Sequence, residues 1–160
     1  VRLVAPSERV LPVVDVMSTV LVESALHPDY PLPDVDDPVM RPFWEGAHAG
    51  KLLQQRDRQT GLVHWPPKPL YWKGGGRLEW FEASGKGTIY TYVVGHEPFL
   101  PAFTHLLPHI MVVVQLAEGV RIVGHMVGCT PHEMSIGMAV RVAFKRLTDR
   151  VTLPVWEPDR

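Results

Sequence analysis

Apolar and polar positions along the 160 residues change period near Leu78. Before it, the spacing that recurs is helical; after it, the spacing is two. Val13, Val16, Met17, Val20, Leu21 and Ala25 loosely fit a helical stripe, although their β-branched content weighs against a helix. The run from His27 to Pro38 holds four prolines and four aspartates. Such a run has little to bury and predicts an extended linker, which would make the first segment an interaction arm or a strap packed on its own domain. Pro42 to Gln55 predicts a helix, with proline in the first turn and Phe43/Ala47/Lys51 and Trp44/His48/Leu52 at i, i+4 spacing. Gly46 and Gly50 each weaken it by about 1 kcal/mol relative to alanine, so burial of Phe43 and Trp44 must stabilise it.

Leu52–Arg56 and Leu62–Trp65 predict a short hairpin about Thr60-Gly61. Leu78–Phe81 and Thr88–Val94 predict strand, with a bend or bulge at Ser84-Gly85-Lys86-Gly87. His109–Leu116 and Val120–Val127 predict a hairpin turning at Glu118-Gly119. Val140, Val142 and Phe144 alternate with Arg141, Ala143 and Lys145, one face buried and one wet. Thr130 or Pro131 can start one helical turn, and Val151–Val155 predicts a last strand. Five strands with a short helix between the third and fourth is the order of an OB-fold barrel. The expectation is a mainly β protein: an arm and linker over residues 1–40, a helix and small module over 41–77, and a barrel over 78–156.

Composition narrows the chemistry. A hydrophobic share of 46% suits a globular core, and sixteen prolines point to turns and extended connections. The single cysteine, Cys129, excludes an internal disulfide and any multi-cysteine zinc site. With no long uncharged apolar run and no signal-like N-terminus, the expected setting is a reducing cytoplasm without a membrane span. Net charge is −1, but residues 1–40 carry seven acidic and two basic residues, and residues 41–90 eight basic and four acidic. A basic middle beside an acidic arm suits an anionic ligand or a charged partner, or is simply a solvated face.

The local motifs give no self-contained catalytic constellation. Ser84-Gly85-Lys86-Gly87-Thr88 is not a phosphate loop, because Gly87 and Phe81 stand where Ser/Thr and glycine are required. No H-E-x-x-H pattern occurs among the eight histidines, and Pro108 breaks the His105/His109 spacing. An enzyme built on loop histidines such as His96, His105 and His109 would need three ligands assembled by the fold. Cys129 reads as a small buried residue rather than a nucleophile. Trp80, Tyr90, Tyr92 and Phe144 are candidate stacking surfaces for single-stranded nucleic acid, the alternative function. A near-zero net charge and strands poor in lysine argue against it.

A more specific signal lies in Gln55–Tyr90. Gly61, Pro66, Pro67, Pro69, Leu78, Trp80, Ser84, Gly85, Gly87, Thr88, Ile89 and Tyr90 fit the pattern C-x-x-C-G, P-P-x-P-x-C-x-x-C, L-x-W, S-G-x-G-T-[VI]-[YF]. Upstream, Phe43, Trp44, Gly46, Gly50 and Leu52 fit F-W-x-G-x-x-x-G-x-L. Downstream, G-N-x-V-G, I-G-M-x-V-x-V-x-F and T-L-P are matched from Gly124 to Pro154, with His125 in place of the asparagine. The chain thus resembles, over about residues 41–155, an OB-fold, acyl-CoA-associated family whose members carry a rubredoxin-like zinc ribbon before the barrel. The four zinc cysteines fall at Asp57, Thr60, Tyr71 and Gly74, so the resemblance implies a degenerate, zinc-free ribbon. It also implies a subunit, not catalytic alone, that docks on a thiolase-fold partner: a steroid or lipid side-chain aldolase, an acyltransferase or an acyl-CoA condensing enzyme. The ligand of that complex would be a coenzyme A thioester. Lys68, Lys73 and Arg77 would face its phosphates, and Trp65, Tyr71 and Trp72 would wall its apolar part or replace zinc as a local core.

Overall fold

A computed structural model describes residues 20–22, 26–69 and 77–160. Nine strands and one α-helix are found among them. They are β1 (Val20–Val22), α1 (Arg41–His48), β2 (Leu53–Asp57), β3 (Val63–His64), β4 (Leu78–Glu82), β5 (Lys86–Gly95), β6 (His109–Leu116), β7 (Arg121–His125), β8 (Ala139–Arg146) and β9 (Thr152–Pro158). Short 3₁₀ turns cover Pro101–Leu106 and Pro131–Glu133.

The barrel is built by β5 to β9. Strands β5, β6 and β7 form an antiparallel meander, β5 also pairs with β8, and β8 pairs with β9. The ring closes through a parallel bridge between Met126 and Trp156, where the Val127 N–H donates to the Trp156 carbonyl at 2.8 Å. The expected five-stranded barrel is therefore present, nearly closed. The 3₁₀ turn between its third and fourth strands has a capping box: Glu133 accepts from the Thr130 N–H at 2.6 Å.

Alternation along the strands sets the core. Ile110, Val112, Val114 and Leu116 of β6 point inward with Ile89, Ile122, Val140, Phe144 and Trp156. Ala143 is also buried, so β8 is covered on both faces near its middle, unlike the simple alternation expected. Gly124 lets β9 cross closely: a Cβ there would lie 2.7 Å from Trp156 Nε1.

A second sheet, in the order β3-β2-β4, sits on α1. The helix is shorter than the sequence predicts, ending at His48 rather than Gln55. Gly50 adopts φ 73°, and the Lys51 N–H turns back to the Gly46 carbonyl, freeing Leu53–Asp57 to pair as a strand. Gly46 is required for close contact, since a Cβ would meet Leu53 Cγ at 2.5 Å. Phe43 is buried with its ring centroid 4.9 Å from that of Trp65 and 4.9 Å from that of Trp44. Phe43, Ala47 and Leu52 join the barrel's own core, so α1 and the barrel share one apolar interior.

The helical expectation for the N-terminal stripe fails at Val20–Val22, which pair in parallel with Phe144–Arg146. Their β-branched content, which opposes a helix, suits an edge strand; the remainder of the stripe lies outside the described residues. The Pro/Asp-rich run is irregular, as expected, but residues 26–40 are not a free linker. Tyr30 stacks edge-on to Phe103 at 5.2 Å, and Arg150 Nη2 donates to both Asp36 carboxylate oxygens at 2.8 and 2.7 Å. This strap therefore touches both loops that flank the barrel mouth. Among the described residues no helix is long and apolar enough to cross a membrane.

Candidate functional site

The ribbon-like module is held together by side-chain and backbone hydrogen bonds. Asp57, first of the four positions where the resembling family has cysteine, is 1% exposed. Its Oδ1 accepts from the Gln59 N–H at 2.9 Å, the Thr60 N–H at 2.8 Å and the Thr60 hydroxyl at 3.1 Å. The Gly61 N–H closes the turn on the Asp57 carbonyl, with Gly61 at φ 71°. The knuckle turn survives, but its carboxylate and hydroxyl are spent on each other and on the backbone. This described knuckle does not fit a zinc ligand pair; Tyr71 and Gly74, in the second, lie outside the described residues. The Thr60 N–H, more than any other contact, holds the Asp57 carboxyl below its usual range, against the opposing effect of burial.

Gln55 ties the two halves of the module. Its amide donates to the Lys68 carbonyl at 3.1 Å and accepts from the Lys68 N–H at 2.8 Å. The Arg58 N–H donates to the Arg77 carbonyl at 3.0 Å. Of the six residues expected at a CoA or partner site, Trp65 is half-buried against Phe43, and Lys68 and Arg77 are exposed on the same module. Their backbones are thus fixed while their charged ends face solvent. Tyr71, Trp72 and Lys73 lie outside the described residues. The stacking role considered for Phe144 is excluded, since it is 6% exposed in the core. Trp80 belongs to β4 in the smaller sheet, Tyr92 donates its hydroxyl to the Met134 carbonyl at 3.4 Å, and Tyr90 is covered by the Arg121 guanidinium. These aromatics do not form one stacking platform.

Two further features had weaker sequence signals. The outer face of β5–β7 is apolar: Val93, Met111 and Val123 are exposed neighbours, with Val93 and Val123 at 59% and 60%. Val93 pairs with Met111, and Val113, alongside, pairs with Val123. An alternating strand normally turns polar residues outward, so the valine runs Tyr92-Val93-Val94 and Met111 to Val114 are the signal that this face differs.

Beside it, His109 Nε2 and His125 Nδ1 share a hydrogen bond of 2.7 Å, their rings stacked at 4.6 Å. Burial, then the neighbouring His109, then Lys145, pushes His125 down to about 4; burial lowers His109 too. Both rings are therefore neutral near pH 7, one nitrogen donating to the other. Pro108 does not prevent the pairing, because the partner of His109 comes from the next strand rather than from His105. Cys129 lies 3.5 Å from the Met134 sulfur, and its thiol is raised by burial and by Glu133, which makes it a poor nucleophile. Among the described residues no cluster of three or more His, Cys, Asp or Glu side chains is arranged to hold a metal.

Comparison with known proteins places this geometry in a lineage. The model of the ChsH2 C-terminal OB-fold domain matches residues 80–145. The 3-oxo-4,17-pregnadiene-20-carboxyl-CoA hydratase alpha subunit of Mycobacterium tuberculosis is 37% identical over 139 residues, 80% of this chain and 43% of that protein. This chain therefore spans less than half of that relative's length. A DUF35 domain-containing scaffold protein of Methanocaldococcus jannaschii is 35% identical over 101 residues, 61% of this chain and 70% of that protein. Among solved structures, a chain of the Ltp2-ChsH2(DUF35) aldolase superposes with a TM-score of 0.72 at 31% identity, covering 80% of this chain and 100% of that one. Sequence, barrel topology and superposition agree: the chain belongs to the DUF35 family of OB-fold proteins, the family of the ChsH2 C-terminal domain.

Proposed function

We propose that this protein is a non-catalytic subunit that docks on a thiolase-fold partner and helps form its acyl-CoA site. The observation that carries the reading is the exposed apolar face of Val93, Met111 and Val123 on three adjacent barrel strands. Such a patch is a place for another protein rather than for water. Relatives named as a hydratase alpha subunit, as scaffold proteins and as part of an Ltp2-ChsH2 aldolase support the same reading. The partner supplies the reacting groups: a side-chain aldolase, acyltransferase or condensing enzyme acting on a coenzyme A thioester in the cytoplasm. Lys68 and Arg77 present cations on the ribbon-like module, and Lys73, Tyr71 and Trp72 belong to the same proposed CoA-facing set. A guanidinium or ammonium there meets the phosphates, and Trp65 backs the module through Phe43.

The test is affinity purification from the native host with mass spectrometry of what co-elutes, beside a Val93→Glu/Val123→Glu variant. A near-stoichiometric thiolase-like protein that elutes with the unmodified chain and is lost from the variant is the expected result. A single clean chain across several salt concentrations, or turnover of acyl-CoA by the chain alone, overturns it.

A further inference from the structure

The outer face of β5–β7 ends in a fixed positive charge. Along β7, Arg121 stands two residues before Val123, so both side chains leave the same side of the sheet. Arg121 pairs with Gln115 and Val123 with Val113, which places Met111, Val113 and Gln115 on that side of β6. On β5 the irregularity between Ile89 and Thr91 leaves Tyr90 without a register partner, and its ring is 48% exposed. Tyr90 and Gln115 hold the guanidinium in one place. Arg121 Cζ lies 3.5 Å from the Tyr90 ring centroid, and Nε donates to Gln115 Oε1 at 2.9 Å. The Gln115 amide is itself oriented, since its Nε2 donates to the Val120 carbonyl at 3.3 Å. Nη1 and Nη2 of Arg121 are left for another acceptor. Arg56, Arg58, Arg141, Arg150 and Arg160 each meet a carboxylate of this chain. Among the described residues Arg121, itself exposed, meets none.

We propose that Arg121 receives an aspartate or glutamate of the docking partner, on a segment that also sets an apolar side chain against Val93, Met111 and Val123. The inference rests on the docking reading above and specifies what the partner must present. The planar guanidinium fork matches a carboxylate, and holding it on Tyr90 and Gln115 before the partner arrives reduces the entropy that the ion pair costs. The valines beside it keep water from one side of the pair once the partner is seated, so the pair is worth more than an open surface bridge. The strand sets the spacing. Two residues along β7 span about 7 Å, so the acid and the apolar anchor of the partner also stand about 7 Å apart. A nucleic-acid strand fits this face poorly, because its phosphates call for a row of cations, and the neighbours of Arg121 on the face are Tyr90, Gln115 and Val123.

The tagged chain is purified from its native host unmodified and as Val93→Glu/Val123→Glu, Arg121→Glu, Arg121→Gln and Arg121→Lys, and the co-eluting protein is quantified at several salt concentrations. The Arg121→Lys preparation is also treated with a carbodiimide. This reagent condenses an amine with a carboxylate in contact, taking up the water as a urea. The arginine of the unmodified chain does not couple, so a new amide at position 121 reports a carboxylate beside it. Arg121→Gln should retain at least about tenfold less of the thiolase-like protein than the unmodified chain, with a flatter salt dependence, and Arg121→Glu less still. Peptide mapping of the coupled product should join position 121 to an aspartate or glutamate of that protein. Because Arg121 is exposed, its variants should keep the circular dichroism of the unmodified chain; should Arg121→Glu not fold, the glutamine and lysine variants still decide. Unchanged retention in Arg121→Gln, no amide at position 121, or an amide to a carboxylate of this same chain overturns the role of Arg121 and leaves the apolar docking face in place. Nucleic acid eluting instead of protein overturns the choice of a protein carboxylate. Absence of any co-eluting protein, or its full retention by Val93→Glu/Val123→Glu, overturns docking at this face and the role of Arg121 with it.

Discussion

Gly124 gives a sharp test of how the barrel closes. Replacing it with alanine places a methyl 2.7 Å from Trp156 Nε1 and 2.8 Å from Cδ1, whereas ordinary contact begins at 3.4 Å. The indole must retreat by about 0.7 Å to reach that ordinary contact. Trp156 is 1% exposed, and its carbonyl holds the Val127 N–H across the closure, so it has little room to move. Overpacking of this kind costs about 1–3 kcal/mol. Glycine-to-alanine substitution returns about 0.4–1 kcal/mol by restricting the unfolded chain. The clash wins, leaving a net loss of about 1–2 kcal/mol by those two estimates. For a chain of this size that lowers Tm by about 2–8 °C. Urea unfolding followed by circular dichroism measures it directly. Repeating Gly124→Ala in a Trp156→Val background, where neither Nε1 nor Cδ1 remains, should reduce the cost to below about 0.5 kcal/mol. If Gly124→Ala is neutral or stabilising, or costs the same in both backgrounds, the close crossing of β7 and β9 does not close the barrel.

Four other outcomes follow from the same contacts. The depressed His125 pKa means the unfolded chain binds more protons between pH about 4 and 6.5, so stability should fall as pH is lowered through that window. The loss approaches roughly 3 kcal/mol, and His125→Asn should flatten the profile in a pH series of urea midpoints. Gln55→Ala removes both part-buried hydrogen bonds to the Lys68 backbone, each worth about 0.5–1.5 kcal/mol, with an expected cost of about 1–3 kcal/mol in the same assay. Lys68→Glu/Arg77→Glu should weaken acyl-CoA binding by the proposed complex at least about tenfold without moving Tm; unchanged binding removes these residues from the proposed site. Metal analysis of the purified chain should find no stoichiometric zinc, and one zinc per chain would contradict the geometry of the Asp57 turn.

The barrel was readable because its strands carry their own period. His109–Leu116 is an unbroken run rich in strand-forming residues, and the Glu118-Gly119 turn leaves one register for the hairpin. The matched glycines and prolines added the family, since each marks a backbone constraint, such as Gly85 at φ 70°. The misreadings have a common cause in tertiary competition. Leu52–Gln55 is compatible with helix in isolation, but pairing with β4 outweighs it once Gly50 has ended the turn. Val20–Val22 join a strand more than a hundred positions away, and no local period reports such a partner. The His109–His125 hydrogen bond joins neighbouring strands, and spacing within one segment carries no signal of it. The outward valines were visible, but only the fold says which side of the sheet they occupy.

The parallel pairing of Val20–Val22 with Phe144–Arg146 sets an order on synthesis. The first of these strands leaves the ribosome 124 residues ahead of the one that receives it, taking Val20 and its partner Phe144. At about 5–20 residues per second it waits roughly 6–25 s. During that interval the meander of β5 to β7 can already form, while β8, the strand that links it to β9 and to the N-terminal segment, has not yet emerged. The nascent chain therefore presents an unpaired strand at one end and an open barrel at the other. Slow elongation around codons for residues 117–138 would lengthen that exposure, whereas faster passage would let β8 arrive and cover both.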